Sequence, residues 1–155
     1  MTYLSGDKPI SIPAANTGKV VVRRTIPATA DELFDAWLDP DSLAQWMHPG
    51  IAMRSTARVD ARVSGAFEVV MRHPAGALRH HGVYRDIERN KKLVFTWVSD
   101  ATHHTETLVT VEFNAAIDGT EIVVTHERIP DHEAGLSHTQ GWTQALALLQ
   151  DLLTH

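Results

Sequence analysis

The run KVVVRRTI at residues 19–26 lies between Gly18 and Pro27 and is rich in β-branched residues, which predicts the first strand. Its alternation puts Val20, Val22, Arg24 and Ile26 on one face, so Arg24 must either extend its head group to water or find a carboxylate. The period then changes. Thr29 with Glu32 three residues on forms a capping box, and Leu33, Phe34 and Trp37 follow at helical spacing, predicting a short helix that ends near Leu38. Asp39 caps a second start with Pro40 at its first position. Leu43, Trp46 and Met47 supply its buried side until Pro49-Gly50 stops it. The two helices form an elbow.

From Ile51 to about Arg128 the pattern has period 2, broken by turn residues, which predicts a meander of strands. Ala52 to Val63 is polar and reads as a half-exposed strand; Ser64-Gly65 breaks it, and Phe67, Val69 and Met71 then share a face. His73 to Gly76 turns the chain into a strand carrying His80, Gly82 and Tyr84, and Leu93, Phe95 and Trp97 follow on the next. Thr107, Val109, Val111 and Phe113 make a further inward row, and an Asp118-Gly119 turn leads to Ile122, Val124 and His126. From about Asp131 to Leu153 the stripe Trp142, Ala145, Leu146, Leu149, Leu152 and Leu153 predicts one long amphipathic helix, in which Gly135 and Gly141 imply close backbone packing.

This order is neither alternating βαβ nor all-β. It predicts an α+β fold: a curved antiparallel sheet of about seven strands wrapped around the long C-terminal helix, with two short helices after the first strand. Residues 1–18 read as an irregular arm and 19–155 as a single domain. A sheet curled round a helix leaves a space between them, and the expected site is there.

The stretches RRTIPATADELFDAWLDPDSLAQW (23–46), GVYRDI (82–87), LVFTW (93–97) and HTQGW (138–142) resemble the activator of heat-shock protein 90 ATPase-like family, part of the START-like (SRPBCC) superfamily. The resemblance implies a helix-grip fold over residues 19–153. For function it implies either a carrier of small hydrophobic ligands or a cochaperone-like, stress-linked interaction protein.

Composition narrows the chemistry. The chain of 155 residues has no cysteine, which removes disulfides, thiolate nucleophiles and Cys-based metal sites, and leads us to expect a cytoplasmic protein. Its net charge of −5 gives no electrostatic footprint for nucleic acid, and no apolar run suits membrane insertion. Arg54, Arg58 and Arg62 are expected to form a solvated strand edge. Ten histidines invite a metal, but His126-Glu127 and His132-Glu133 both lack the second histidine of H-E-x-x-H; no metal and no cofactor are expected. His103-His104 reads as a solvated turn, and Trp37 as helix packing. No sequence signature of a hydrolase nucleophile is present.

What remains is an inward set: Trp46, Phe67, Met71, His80, Tyr84, Phe95, Trp97, His126, His138 and Trp142. Aromatic walls with imidazole or phenol groups suit a small apolar or amphipathic ligand. A cyclase- or hydratase-type enzyme using these histidines is an alternative, and a homodimer or a chaperone is left open as a partner.

Overall fold

The computed structural model describes residues 18–48 and 54–154. The expected N-terminal arm therefore lies, apart from Gly18, outside the described residues. Strand β1 (Lys19–Ile26) leads into helices α1 (Ala30–Leu38) and α2 (Pro40–Trp46). Six strands follow: β2 (Arg54–Val59), β3 (Ala66–His73), β4 (Gly76–Glu88), β5 (Lys92–Trp97), β6 (Thr107–Ala116) and β7 (Gly119–Glu127), and α3 (His132–Leu153) closes the chain. All neighbours pair antiparallel in the order β1-β7-β6-β5-β4-β3-β2, so β1 and β2 occupy opposite edges of one seven-stranded sheet.

Local chemistry sets the helix starts. The Thr29 hydroxyl accepts the Glu32 backbone N–H at 3.1 Å while the Glu32 carboxylate accepts the Thr29 N–H at 3.1 Å, the reciprocal pair that the sequence predicts. Asp39 caps α2 through the Ser42 N–H at 2.9 Å, and Asp131 caps α3 through the Ala134 N–H at 2.8 Å.

The inward parity of each strand meets the three helices in one core. Ile26, Val69, Val109, Val111, Ile122 and Val124 are fully buried against Leu33, Leu146 and Leu149 of the helices. Arg24 meets neither water alone nor a carboxylate: its Nε–H donates to the Gln150 carboxamide of α3 at 2.7 Å. On the outer face Glu68 bonds both Arg58, at 3.2 Å, and Arg79, and Arg62 pairs with Asp60 at 2.9 Å, as expected of a solvated edge. The β6–β7 turn falls one residue earlier than expected, because Gly119 already pairs with Ala116.

Near Gly82, strand β4 departs from regular pairing. The register against β5 shifts between Tyr84 and Asp86, the Val83 N–H donates to the Thr96 hydroxyl at 2.9 Å, and the Tyr84 N–H donates to Gly65 O at 3.0 Å. A β-carbon at Gly82 would stand 1.8 Å from Thr96 O and 2.7 Å from the Phe67 ring. Gly135 differs from the close packing expected of it, since a β-carbon there would meet Val20 at an ordinary 3.9 Å.

Gly82→Ala should therefore cost about 3 kcal/mol or more through a backbone clash. Gly135→Ala should stabilise by about 0.5–1 kcal/mol through helix propensity and a less free unfolded chain. Urea unfolding of both variants beside the parent checks the pair; a stability gain for Gly82→Ala would contradict the packing described.

Candidate functional site

One hydrogen-bonded chain ties α3 to the middle of the sheet. The Trp142 indole donates to His126 Nδ1 at 3.1 Å. An indole nitrogen is a donor only, so Nδ1 must be the unprotonated nitrogen and Nε2 carries the hydrogen. Nε2–H then donates to the Thr107 hydroxyl at 2.7 Å, and that hydroxyl donates to the backbone oxygen of Trp97 at 2.5 Å. Both nitrogens of His126 are thus engaged. This histidine, wholly buried, is fixed as a neutral structural link and has no nitrogen left for proton transfer.

His138 lies one helical turn before Trp142, with its ring 4.7 Å from that of His126, edge to face. Its Nδ1–H donates to Ala134 O at 2.7 Å, so its Nε2 bears the lone pair when neutral. His80 on β4 packs its ring 5.1 Å from Trp97, and its buried Nδ1 has no partner. Burial pushes all three imidazoles below their ordinary value: His126 to about 3, with repulsion from His138 adding to it, His80 to about 4, and His138 in the same direction.

A cavity opens beside this chain, between the α1–α2 elbow and strands β3–β5. Trp37, Leu43 and Met47 line it on the helical side, and Phe67, Val69, Tyr84, Leu93, Phe95 and Trp97 on the sheet side. It is narrow: about 10 Å³ is open to the centre of a water molecule, room for about one water. No lining residue is charged. Burial, with the charge of Asp60 adding to it, raises the Tyr84 phenol above its ordinary value and keeps it protonated.

This cavity lies against the elbow, and no residue of α3 lines it. The reason is packing. Ala134, His138, Trp142, Ala145, Leu146 and Leu149 of α3 are all buried, so its apolar stripe is taken up by contact. Of the ten site candidates, Phe67, Tyr84, Phe95 and Trp97 line the cavity. His126 and Trp142 form the adjoining hydrogen-bonded chain with the His138 ring packed against His126, and His80 lies against Trp97. Trp46 packs edge to face on Trp37 at 4.7 Å with its indole donating to Ala36 O at 3.0 Å, and Met71 is buried on β3.

Trp37, expected to serve helix packing alone, is the main addition to the site. Its ring stacks on Trp142 at 5.9 Å and lines the cavity, and its buried N–H has no partner. The Trp97 N–H is likewise buried and unpartnered. Its position three residues after the inward Phe34 marks Trp37 as buried, but helical spacing carries no sign of which buried rings face empty space.

His103 and His104 are exposed in a turn, as expected, and both take the left-handed backbone conformation. His103 Nε2 lies 2.7 Å from Asp131, the N-cap of α3. Among the described residues no group of three or more His, Asp or Glu side chains is arranged to hold a metal, and no helix is long and apolar enough to cross a membrane.

A curved antiparallel sheet closed around one long helix, with a small aromatic cavity under a helical elbow, defines the helix-grip architecture of START-like proteins. The chain belongs to the Activator of Hsp90 ATPase homolog 1-like family, which matches residues 27–154. A solved structure of a Chromobacterium violaceum protein is similar, with a TM-score of 0.78 at 23% identity, covering 89% of this chain and 98% of that one. A Nitrosomonas europaea protein gives a TM-score of 0.74 at 20% identity, covering 92% of this chain and 96% of its own. An AHSA1-like protein from Aeromonas hydrophila gives 0.69 at 24% identity, covering 86% and 90%. At these identities the likeness establishes the fold. No curated protein matches the chain.

The depressed imidazoles have a sign that can be measured. The folded chain keeps His126 and His80 neutral down to about 3 and about 4, whereas the unfolded chain takes up protons below about pH 6.5. Their contribution is fully present above that pH and is lost as acid approaches the folded values. Each should remove up to about 1.4 kcal/mol per pH unit within the window. Urea midpoints at pH 7.5, 6 and 5 should be flat at first and then fall; an unchanged midpoint down to pH 5 would exclude buried neutral imidazoles.

Proposed function

We propose that the protein binds a small apolar or amphipathic molecule between the α1–α2 elbow and strands β3–β5. The observation behind this reading is the uncharged, largely aromatic wall of that cavity. Flat rings give large contact area at little conformational cost, and the absence of charge suits a ligand that leaves water readily. Since the space admits about one water, any larger guest enters only as the elbow moves away from the sheet. On its cysteine-free composition we assign the protein to the cytoplasm.

The family match supports a second reading, a cochaperone-like activator of a heat-shock protein 90 ATPase. Its test is direct: adding the protein should raise the ATPase rate of such a chaperone, and an unchanged rate removes it.

For ligand binding, the informative variant is Leu43→Ala, which enlarges the cavity from the elbow side. It should lower stability by about 2–5 kcal/mol. A compound present at 100 times its dissociation constant should restore about 2.7 kcal/mol, visible as a melting shift. Thermal melts of parent and variant against a panel of apolar and amphipathic compounds, with native mass spectrometry of the purified protein, check this. If no compound shifts either melt and only unliganded protein is seen, the cavity is packing alone.

A further inference from the structure

We infer that the ligand of this cavity is an uncharged molecule that presents a hydrogen-bond acceptor, in the simplest case a carbonyl oxygen, to the indole N–H groups of Trp37 and Trp97. The inference rests on the reading of the cavity as a ligand site and specifies what that site selects.

The four tryptophans fall into two pairs. Trp46 donates to Ala36 O at 3.0 Å and Trp142 donates to His126 Nδ1 at 3.1 Å, so both have their hydrogen bond. Trp37 and Trp97 do not: each N–H is buried without an acceptor, although each side chain is at least nine-tenths buried. Buried donors are rarely left unpaired in folded proteins, because desolvation is then uncompensated. Here two such donors belong to rings that line the same cavity.

The donors also define what cannot sit there. An indole N–H donates and never accepts, so a guest whose polar groups are all N–H donors leaves both unsatisfied. The Tyr84 phenol of the same wall stays protonated and so carries no charge either. A carboxylate would have acceptors but would lose its hydration with no cation in the wall to replace it, and an ammonium would lose hydration and meet donors. A neutral acceptor oxygen is the polar group that the two indole donors favour. In the unliganded protein water in the cavity can accept an indole hydrogen, and the ligand oxygen takes its place.

The test uses the full chain labelled with ¹⁵N, in which the four indole N–H signals are resolved and assigned, and four probes on one bicyclic skeleton: indan-1-one, indane, indane-1-carboxylate and 1-aminoindane. Indan-1-one should bind about tenfold more tightly than indane and by a similar factor more tightly than the two ions. It should move the Trp37 and Trp97 indole protons downfield while those of Trp46 and Trp142, already bonded, stay in place. Trp97→Phe should shrink the ketone's advantage over indane to about threefold or less; the parent spectra stand as evidence even where that variant folds poorly. Equal binding of ketone and indane, with no downfield movement of Trp37 or Trp97, overturns the acceptor class and leaves the cavity reading intact. Tightest binding by the carboxylate or the amine overturns the neutrality of the ligand. Four probes that leave every indole signal unmoved overturn both readings together.

Discussion

A single imidazole holds the long helix in register with the sheet. His126 takes the Trp142 hydrogen on one nitrogen and gives its own to Thr107 from the other, and Thr107 passes its hydroxyl hydrogen to the backbone of Trp97. Every group in this chain has its direction fixed by its neighbour, because the indole can only donate and the carbonyl can only accept. Helix α3, strands β7 and β6 and the end of β5 are thereby joined through buried polar contacts. The placement of Trp142 follows, and with it the stack of Trp37 at 5.9 Å and the tilt of Trp97 at 5.4 Å that shape one end of the cavity.

The same chain accounts for much of the histidine excess. His126 is a core residue whose polarity is fully used, and His138 is anchored to the helix backbone one turn earlier. His103 and His104 are turn residues paired with nearby aspartates. Among the described histidines, His80 is the one with a buried nitrogen that lacks a hydrogen-bond partner. An acidic surface thus encloses a site whose walls carry no charge, so long-range attraction plays no part in choosing what enters; fit and hydrogen-bond direction do.

Much of this was legible in the chain. The Thr29–Glu32 and Asp39–Pro40 signals place both elbow helices, and period-2 parity puts Phe67, Phe95, Trp97 and His126 on the inner face because a strand offers only two sides. The site's position was less legible. Parity says that a ring is inside but not whether its neighbours fill the space against it, and the strand order that sets β3–β5 opposite the elbow comes from pairing between distant segments. Trp37 shows the gap most clearly: its helical spacing reveals burial, while its unpaired N–H depends on where Trp142 and Trp97 lie. Arg24 was bound to surprise as well, since a carboxamide on a helix more than a hundred residues away leaves no local trace.

The strand order also constrains how the elbow can move. Strands β1 and β2 are the two outer edges of the sheet, yet only the segment between Ile26 and Arg54 joins them. Six interstrand spacings separate those edges, about 29 Å at ~4.8 Å each. The elbow is therefore a strap anchored at both margins and bowed over the cavity, not a flap hinged on one side. Lifting its middle pulls on both anchorages. Strand β1 is held by β7 and by α3 through Arg24, whereas β2 pairs only with β3 and is otherwise tied to the elbow itself, its Ser55 hydroxyl donating to Met47 O at 2.7 Å. The more lightly held anchorage is the β2 end, which makes the pairing of an outer strand, remote from the aromatic wall, the mechanical counterpart of opening the cavity.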